Sequence, residues 1–293
     1  SYIKGLQGKK LDNESVASMV KHFPGSGPLD GGKDSHFPPG IQSYRGDNFQ
    51  YHVKPFEEAI KVGVSSIMPY YSLPIGITDE EVAAGYNSEL LLDLLRNNYA
   101  FDGIICTDWA IISDLTLPNG QIVKPASAYG VENLNVSQRI KKVIMSGVDL
   151  IGGENLTNEL VLLIESGEIS ESRIDQSVYR IMKQKFELGL FDDPYLEYDV
   201  LEIYDNEYNK EKGIEAQRKS LVLLNNKDDI LPLSKDSKIF YHGFGDDFIS
   251  KNNVYDYNES DINVIKINSP DGRFESEYMF ELLLGGGPCD YTP

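Results

Sequence analysis

The chain is poor in the residues that build disulfide frameworks and metal sites. Its 293 residues include two cysteines, Cys106 and Cys289, and four histidines. Two cysteines cannot form the set of bridges that holds a small secreted domain together. The histidines, at positions 22, 36, 52 and 242, lack the close spacing of zinc ligands. The sequence therefore predicts no metal site and no cofactor.

Long apolar runs and an excess of positive charge are also missing. No stretch of 18 apolar residues is present, so the sequence predicts no membrane span. The formal net charge is −19, from 46 acidic and 27 basic residues. Nucleic acids and anionic membranes bind basic surfaces, so neither is expected as a partner. No leader is recognisable after Ser1, which leaves the compartment open between cytoplasm and export.

Four β-then-α units follow one another in the first two thirds of the sequence. Strands are predicted at 16–20, 65–69, 103–107 and 148–151, and helices at 49–62, 87–98, 137–146, 158–166 and 171–188. Short apolar strands that alternate with helices predict a parallel sheet covered on both faces. Pro55 predicts a kink or a late start in the first of these helices. Four units are half of an eight-stranded β/α barrel, which typically needs about 250 residues.

The predicted fold class is α/β, with two domains. Residues 1–195 are predicted to form the C-terminal half of a (β/α)8 barrel of the TIM type. The acidic, tyrosine-rich stretch that follows predicts a linker at 196–215. Apolar runs at 216–224, 238–242 and 261–267 predict that 216–293 are the truncated start of an α/β sandwich domain.

Polar residues stand where the predicted strands end. Lys21 and His22 follow the first strand, Tyr71 the second and Asp108 the third. In barrels and open α/β sheets, active sites lie at the carboxyl ends of the strands. This placement predicts an enzyme.

Two segments carry side chains suited to acid–base or nucleophilic chemistry. Asp108 follows a buried strand beside Trp109, the only tryptophan, so a carboxylate could attack an anomeric carbon next to a ring that stacks on sugar. The alternative is that Asp108 caps a helix. Asp34 stands two residues before His36 and could orient it as a general acid/base, unless both are ordinary loop residues.

Together these segments resemble glycoside hydrolase family 3, the β-glucosidase and β-N-acetylglucosaminidase family. Three stretches look like motifs of that family: Lys21-His-Phe-Pro-Gly-Ser-Gly27, Met68-Pro-Tyr-Tyr71 and Gly103-Ile-Ile-Cys-Thr-Asp-Trp109. Gly147-Val-Asp149 looks like its last barrel strand. The resemblance covers most of residues 14–235 and implies the barrel described above.

The resemblance implies a retaining, exo-acting β-glucosidase that releases terminal β-D-glucose from a β-glucoside or an oligosaccharide. Asp108 would be the nucleophile that forms a covalent glycosyl-enzyme. Lys21 and His22 would hold hydroxyls of the sugar. Three further residues would line the same subsite: Tyr71, Trp109 and Met68.

The resemblance leaves the acid/base open. Family β-glucosidases usually take a glutamate from the second domain, here Glu275 or Glu277. Family β-N-acetylglucosaminidases use an Asp–His pair, which Asp34 and His36 resemble. Six residues separate Gly27 from Asp34, more than is expected for that motif, and this spacing favours the glucosidase.

The family's first barrel half has no counterpart in this sequence. A chain or segment that supplies this half is therefore an expected partner. A third alternative is a catalytically silent carbohydrate-binding fragment that keeps the pocket but lost half of its barrel.

Overall fold

The computed structural model describes residues 2–195, 205–245 and 252–267. Two compact units divide after Pro194. The strands of the first unit are β1 Met19–Phe23, β2 Ile41–Ser43, β3 Ser66–Pro69, β4 Leu73–Ile75, β5 Ile104–Ile105, β6 Leu115–Thr116 and β7 Ile122–Lys124. Its α-helices are α1 Tyr2–Gln7, α2 Phe49–Lys61, α3 Val136–Met145, α4 Thr157–Glu165 and α5 Glu171–Glu187, and a π helix spans Glu89–Asn98.

The central sheet of the first unit is parallel and follows the order of the sequence. β1 pairs with β3, and β3 pairs with β5. Leu150 joins beside β5 through a parallel bridge to Cys106, in the predicted position of the fourth strand. The parallel strands and the helices between them confirm the α/β class. The half-barrel stays a prediction.

Residues of these strands alternate between two apolar clusters. Ile67 and Ile105 belong to the large core, which also takes in α2, the π helix and α3. Met68 and Ile104 face the other way and meet Cys106 and the partly buried Ile181 of α5. A period of two is what a sheet covered on both faces requires.

The first strand lies three residues later than predicted. It was expected at 16–20, but β1 spans Met19–Phe23, so Lys21 and His22 are within the strand and not after it. Lys21 pairs with Met68 and Phe23 with Pro69, which leaves His22 as an extra residue in the ladder. Such a bulge re-aims side chains. Here it lets Phe23 join the large core.

The predicted helices are present, with small shifts of their ends. α2 begins at Phe49 and continues through Pro55, so a late start was wrong, while a kink at Pro55 stays a prediction. Its apolar face, which includes Val53 and Phe56, packs into the large core and holds the helix together around the proline. Asn87 accepts a hydrogen bond from the amide of Leu90, 3.0 Å away, and so caps the π helix.

The second unit contains a two-stranded parallel sheet, β8 Ile239–His242 and β9 Ile262–Ile265, which fall on two of the apolar runs, and the sandwich domain stays a prediction. Helix α6 spans Glu207–Ser220 and so takes in the last nine residues of the predicted linker, whose bounds stay a prediction. An asparagine N-cap at Asn206 accepts from the amide of Asn209 and starts this helix. In the described part of the chain, none of the helices is both long and apolar enough to cross a membrane.

Candidate active site

Asp108 stands directly after β5 and Thr107, at the carboxyl end of the parallel sheet. The residue is 9% exposed. Its Oδ1 accepts hydrogen bonds from the amide of Trp109 at 2.8 Å and from the hydroxyl of Tyr71 at 3.0 Å. The same hydroxyl lies 2.6 Å from the carbonyl oxygen of Trp109. The next regular element along the chain is β6, so Asp108 does not cap a helix.

The second oxygen of Asp108 is held differently. Among the described residues, Oδ2 is buried and accepts no hydrogen bond of good geometry. Its polar neighbour is Nε2 of His22, 3.2 Å away. Two donors thus fix Oδ1, while Oδ2 keeps lone pairs that are available for bonding to a reacting atom.

The surroundings of Asp108 keep its carboxylate ionised. Burial raises the pKa, but the approach of His22 and the hydrogen bonds from Trp109 and Tyr71 outweigh burial and hold it below its usual range. For Tyr71, burial and the adjacent Asp108 carboxylate raise the pKa of the phenol, so it remains a donor at neutral pH.

A second polar group lies beside the first. Nδ1 of His36 is 2.6 Å from Oδ1 of Asp34, and the hydroxyl of Tyr70 donates to the same oxygen at 3.2 Å. Burial raises the pKa of Asp34, but its contacts with His36 outweigh burial and lower it. The His36 ring meets the Tyr71 ring edge-on with centroids 4.8 Å apart. The Asp34–His36 pair therefore adjoins the Asp108 cluster.

Trp109 packs over the turn that follows Leu150. It is 64% exposed. A Cβ atom at Gly153 would lie 2.5 Å from Cγ of Trp109, and one at Gly152 would lie 3.1 Å from Cδ1. The two glycines therefore give the indole room. The ring presents the rest of its surface to solvent at the edge of the site.

Four other predicted positions have different outcomes. Lys21 is exposed and, within the described ranges, forms no ion pair, so its ammonium is open to a ligand. Met68 is buried in the small cluster with Ile104 and Cys106, and its role in binding substrate stays a prediction. Glu275 and Glu277 lie outside the described residues.

Sequence reasoning missed two charged residues near the site. Glu154 accepts from the amides of Ile111, Ile112 and Ser113 and so holds the loop after Trp109. The sequence signal that could have identified Glu154 is its position directly after Gly152 and Gly153, which follow the fourth predicted strand. Lys124 is buried at the end of β7 with its ammonium 4.7 Å from the centroid of the Tyr71 ring. Nothing in the local sequence indicates that contact.

The described residues contain no group of three or more His, Cys, Asp or Glu side chains that could hold a metal ion. The chemistry available here is that of a buried ionised carboxylate, a phenol, two imidazoles and an exposed ammonium. Such a set can bind hydroxyl groups, supply a nucleophile and move protons.

Comparison with known proteins gives consistent matches. Residues 1–184 match the family model described as the glycosyl hydrolase family 3 N terminal domain. A probable beta-glucosidase C of Aspergillus oryzae is 45% identical over 277 residues, which are 92% of this chain and 43% of that protein. A periplasmic beta-glucosidase/beta-xylosidase of Dickeya chrysanthemi is 38% identical over 258 residues, or 83% and 39% of the two chains. The chain thus spans less than half the length of these curated relatives.

Solved structures give the same picture. The crystal structure of a beta-glucosidase from Listeria innocua in complex with gluconolactone matches with a TM-score of 0.67 and 28% identity. The match covers 82% of this chain and 31% of the other.

Proposed function

Because the chain belongs to glycoside hydrolase family 3, we propose that it carries the nucleophile and sugar-binding residues of a retaining, exo-acting β-glucosidase. The observation that carries this proposal is the state of Asp108. It is a buried, ionised carboxylate at the carboxyl end of a parallel sheet, with Oδ1 held by two donors and Oδ2 turned to His22. The names of the relatives agree with a glucoside substrate.

In the proposed reaction, Oδ2 of Asp108 attacks the anomeric carbon of the terminal sugar. The bond to the leaving-group oxygen breaks, and that oxygen takes a proton from a general acid. Water, deprotonated by the same group, then attacks the anomeric carbon and releases Asp108. Two displacements at one carbon retain the configuration.

Neighbouring residues would bind the sugar. His22 approaches Asp108 closely, so it can also reach a hydroxyl next to the anomeric carbon. Lys21 offers an exposed ammonium from the same strand. The exposed face of Trp109 suits stacking against a ring on the leaving-group side.

A second candidate differs in the general acid. The Asp34–His36 pair lies against Tyr71, whose hydroxyl contacts Asp108. That geometry favours a β-N-acetylglucosaminidase in which His36 transfers the proton and Asp34 orients it. In the glucosidase, Glu275 or Glu277 would transfer this proton instead of His36.

We also propose that another chain or segment completes the barrel. Among the described residues, β1 pairs only with β3, and Leu150 forms a bridge only to Cys106, directly after β5. Neither outer edge therefore has a further strand partner among these residues, and such an edge can accept an added strand.

The test uses the full-length protein and a 2-deoxy-2-fluoro-β-glucoside with a good leaving group. We expect a covalent label on Asp108, found by peptide mass spectrometry. The control is Asp108→Asn, which keeps the shape but should take no label. A label on another residue, or turnover retained in the control, would refute the role of Asp108.

The acid/base is tested separately with His36→Ala. If His36 is the acid, turnover of aryl N-acetylglucosaminides with poor leaving groups falls by about 10²–10⁴-fold, and good leaving groups restore it. If the acid is instead Glu275 or Glu277, replacing that glutamate should lower the turnover of glucosides with poor leaving groups. Good leaving groups should restore the turnover. Binding of the sugar without turnover of either substrate would favour a carbohydrate-binding fragment.

A further inference from the structure

Lys124 is a buried cation in contact with the ring that holds Asp108. It is 2% exposed. Its ammonium lies 4.7 Å from the centroid of the Tyr71 ring, within the range of a cation–π contact. It also donates to Oγ of Ser127 at 2.6 Å. A short hydrogen bond at one side fixes where the charge lies over the ring.

The segment that holds Lys124 is tied to the backbone beside Asp108 by a second contact. The amide of Ser127 donates to the carbonyl oxygen of Ala110 at 2.8 Å. Ala110 has a φ of 54°, a left-handed conformation that an alanine rarely adopts. The end of the β6–β7 hairpin therefore contacts both the Tyr71 side chain and the turn that follows Asp108, and it restricts the movement of each.

We propose that Lys124 is a positioning residue for the nucleophile and acts through Tyr71. This inference rests on the proposed function. Lys124 confines one face of the phenol, and the edge contact with His36 confines it from another direction. The hydroxyl is then held between Oδ1 of Asp108 and the carbonyl of Trp109.

The charge adds to the steric effect. A cation over the ring face draws electron density from the phenol and makes its hydroxyl a stronger donor. A stronger bond at Oδ1 stabilises the ionised carboxylate. It also fixes the plane of the carboxylate, so Oδ2 points along one line of attack. Both effects belong to the chemical step, so Lys124 should affect kcat more than KM.

The experiment is a double-mutant cycle in the full-length protein. Lys124→Met and Tyr71→Phe are made singly and together, and kcat and KM are measured with an aryl β-glucoside. We expect Lys124→Met to lower kcat about tenfold while KM changes little. In the Tyr71→Phe background the same change should cost less than about twofold, because the hydroxyl through which Lys124 acts is gone. Equal costs in both backgrounds would overturn the proposal.

Two further variants guard against a trivial result. Ser127→Ala keeps the cation but removes its anchor, so it should lower kcat in the same direction by less, and only when Tyr71 is present. Lys141→Met removes a surface charge paired with Glu168 and should leave kcat unchanged. A wild-type protein without glucosidase activity would refute the proposed function, whereas an active wild type with a fully active Lys124→Met would refute this inference alone.

Discussion

Two donors hold one oxygen of Asp108, and this arrangement makes the carboxylate's ionisation depend on its neighbours. The amide of Trp109 comes from the backbone and is always present. The hydroxyl of Tyr71 comes from a side chain 37 residues away and depends on packing. At the scale of single residues, the hydrogen bond from the Trp109 amide is therefore fixed, while the one from the Tyr71 hydroxyl can change with packing.

Tyr71→Phe tests the adjustable contact. The pKa of Asp108 is lowered in the folded protein, so activity that needs the carboxylate is present above that pKa and lost as the pH falls through it. Removing the hydroxyl raises this pKa, so the acid limb of the kcat/KM profile should move to higher pH. The value of kcat/KM should fall by about 10–100-fold, as expected for a hydrogen bond to a charged group. An unchanged acid limb would contradict the account, and Tyr99→Phe, which loses a bond to Glu57, is the control.

Gly153→Ala tests the close packing of the Trp109 indole against Gly153. Gly153 has a φ of 70°, and an added Cβ would lie 2.5 Å from the indole. The φ alone costs about 1–2 kcal/mol for an alanine. Gly167→Ala is a matched control, because its φ is 76° and nothing lies within 4 Å of its Cβ position. In urea unfolding, Gly153→Ala should lose more stability than Gly167→Ala, and it alone should weaken substrate binding.

Among the elements, a buried ion network joins the fourth strand segment to its neighbours. Oδ2 of Asp149 bonds to Arg96 of the π helix at 2.5 Å, and Oδ1 lies 3.2 Å from Arg180 of α5. Ser177 of α5 also donates to Oδ1, and the amide of Ile105 donates to Oδ2. One carboxylate thus fixes two helices and β5 relative to each other.

Asp149→Asn should destabilise the protein by about 3–5 kcal/mol, because it leaves the guanidinium of Arg96, whose side chain is 9% exposed, without its charge partner. Chemical unfolding measures the loss. Asp102→Asn is the comparison, because Asp102 pairs with the same Arg180 but its side chain is 65% exposed. That pair should contribute at most about 1 kcal/mol. Similar losses for the two variants would show that the buried network is not what joins these elements.

For the whole molecule, charge and apolar surface act in opposite directions on solubility. The net charge of −19 keeps copies of the chain apart. The run from Leu221 to Leu224, by contrast, is 64–93% exposed at every position. Four adjacent exposed residues that are all apolar, one of them a β-branched valine, favour self-association.

Replacing Val222 and Leu224 by lysine should reduce self-association of this 293-residue chain several-fold without lowering its Tm. Sedimentation velocity at rising salt is the measurement, because salt screens the repulsion and should increase association of the unmodified chain more. Tyr208→Lys, at an exposed site in α6, controls for added positive charge. If that control reduces association equally, the apolar run is not the cause.

The sequence by itself determined the order of the elements and brought most of the candidate site residues to one region of the chain's fold. Apolar runs of four or five residues followed by helical periodicity predicted the parallel sheet, because local alternation of strand and helix allows few other arrangements. Asp108 and Tyr71 lie together because the carboxyl ends of neighbouring parallel strands meet at one edge of the sheet, and His22 near the end of β1 reaches the same edge. These are consequences of local pattern and chain direction.

Only the tertiary structure decided the contacts between distant segments. The one-residue bulge at His22 depends on which residues of β3 it pairs with, and the intact helix through Pro55 depends on the core against which α2 packs. Lys124 reaches Tyr71 from a hairpin 53 residues further along the chain. No local pattern contains such a contact, because its free energy comes from burying a cation against a ring that the fold has already placed there.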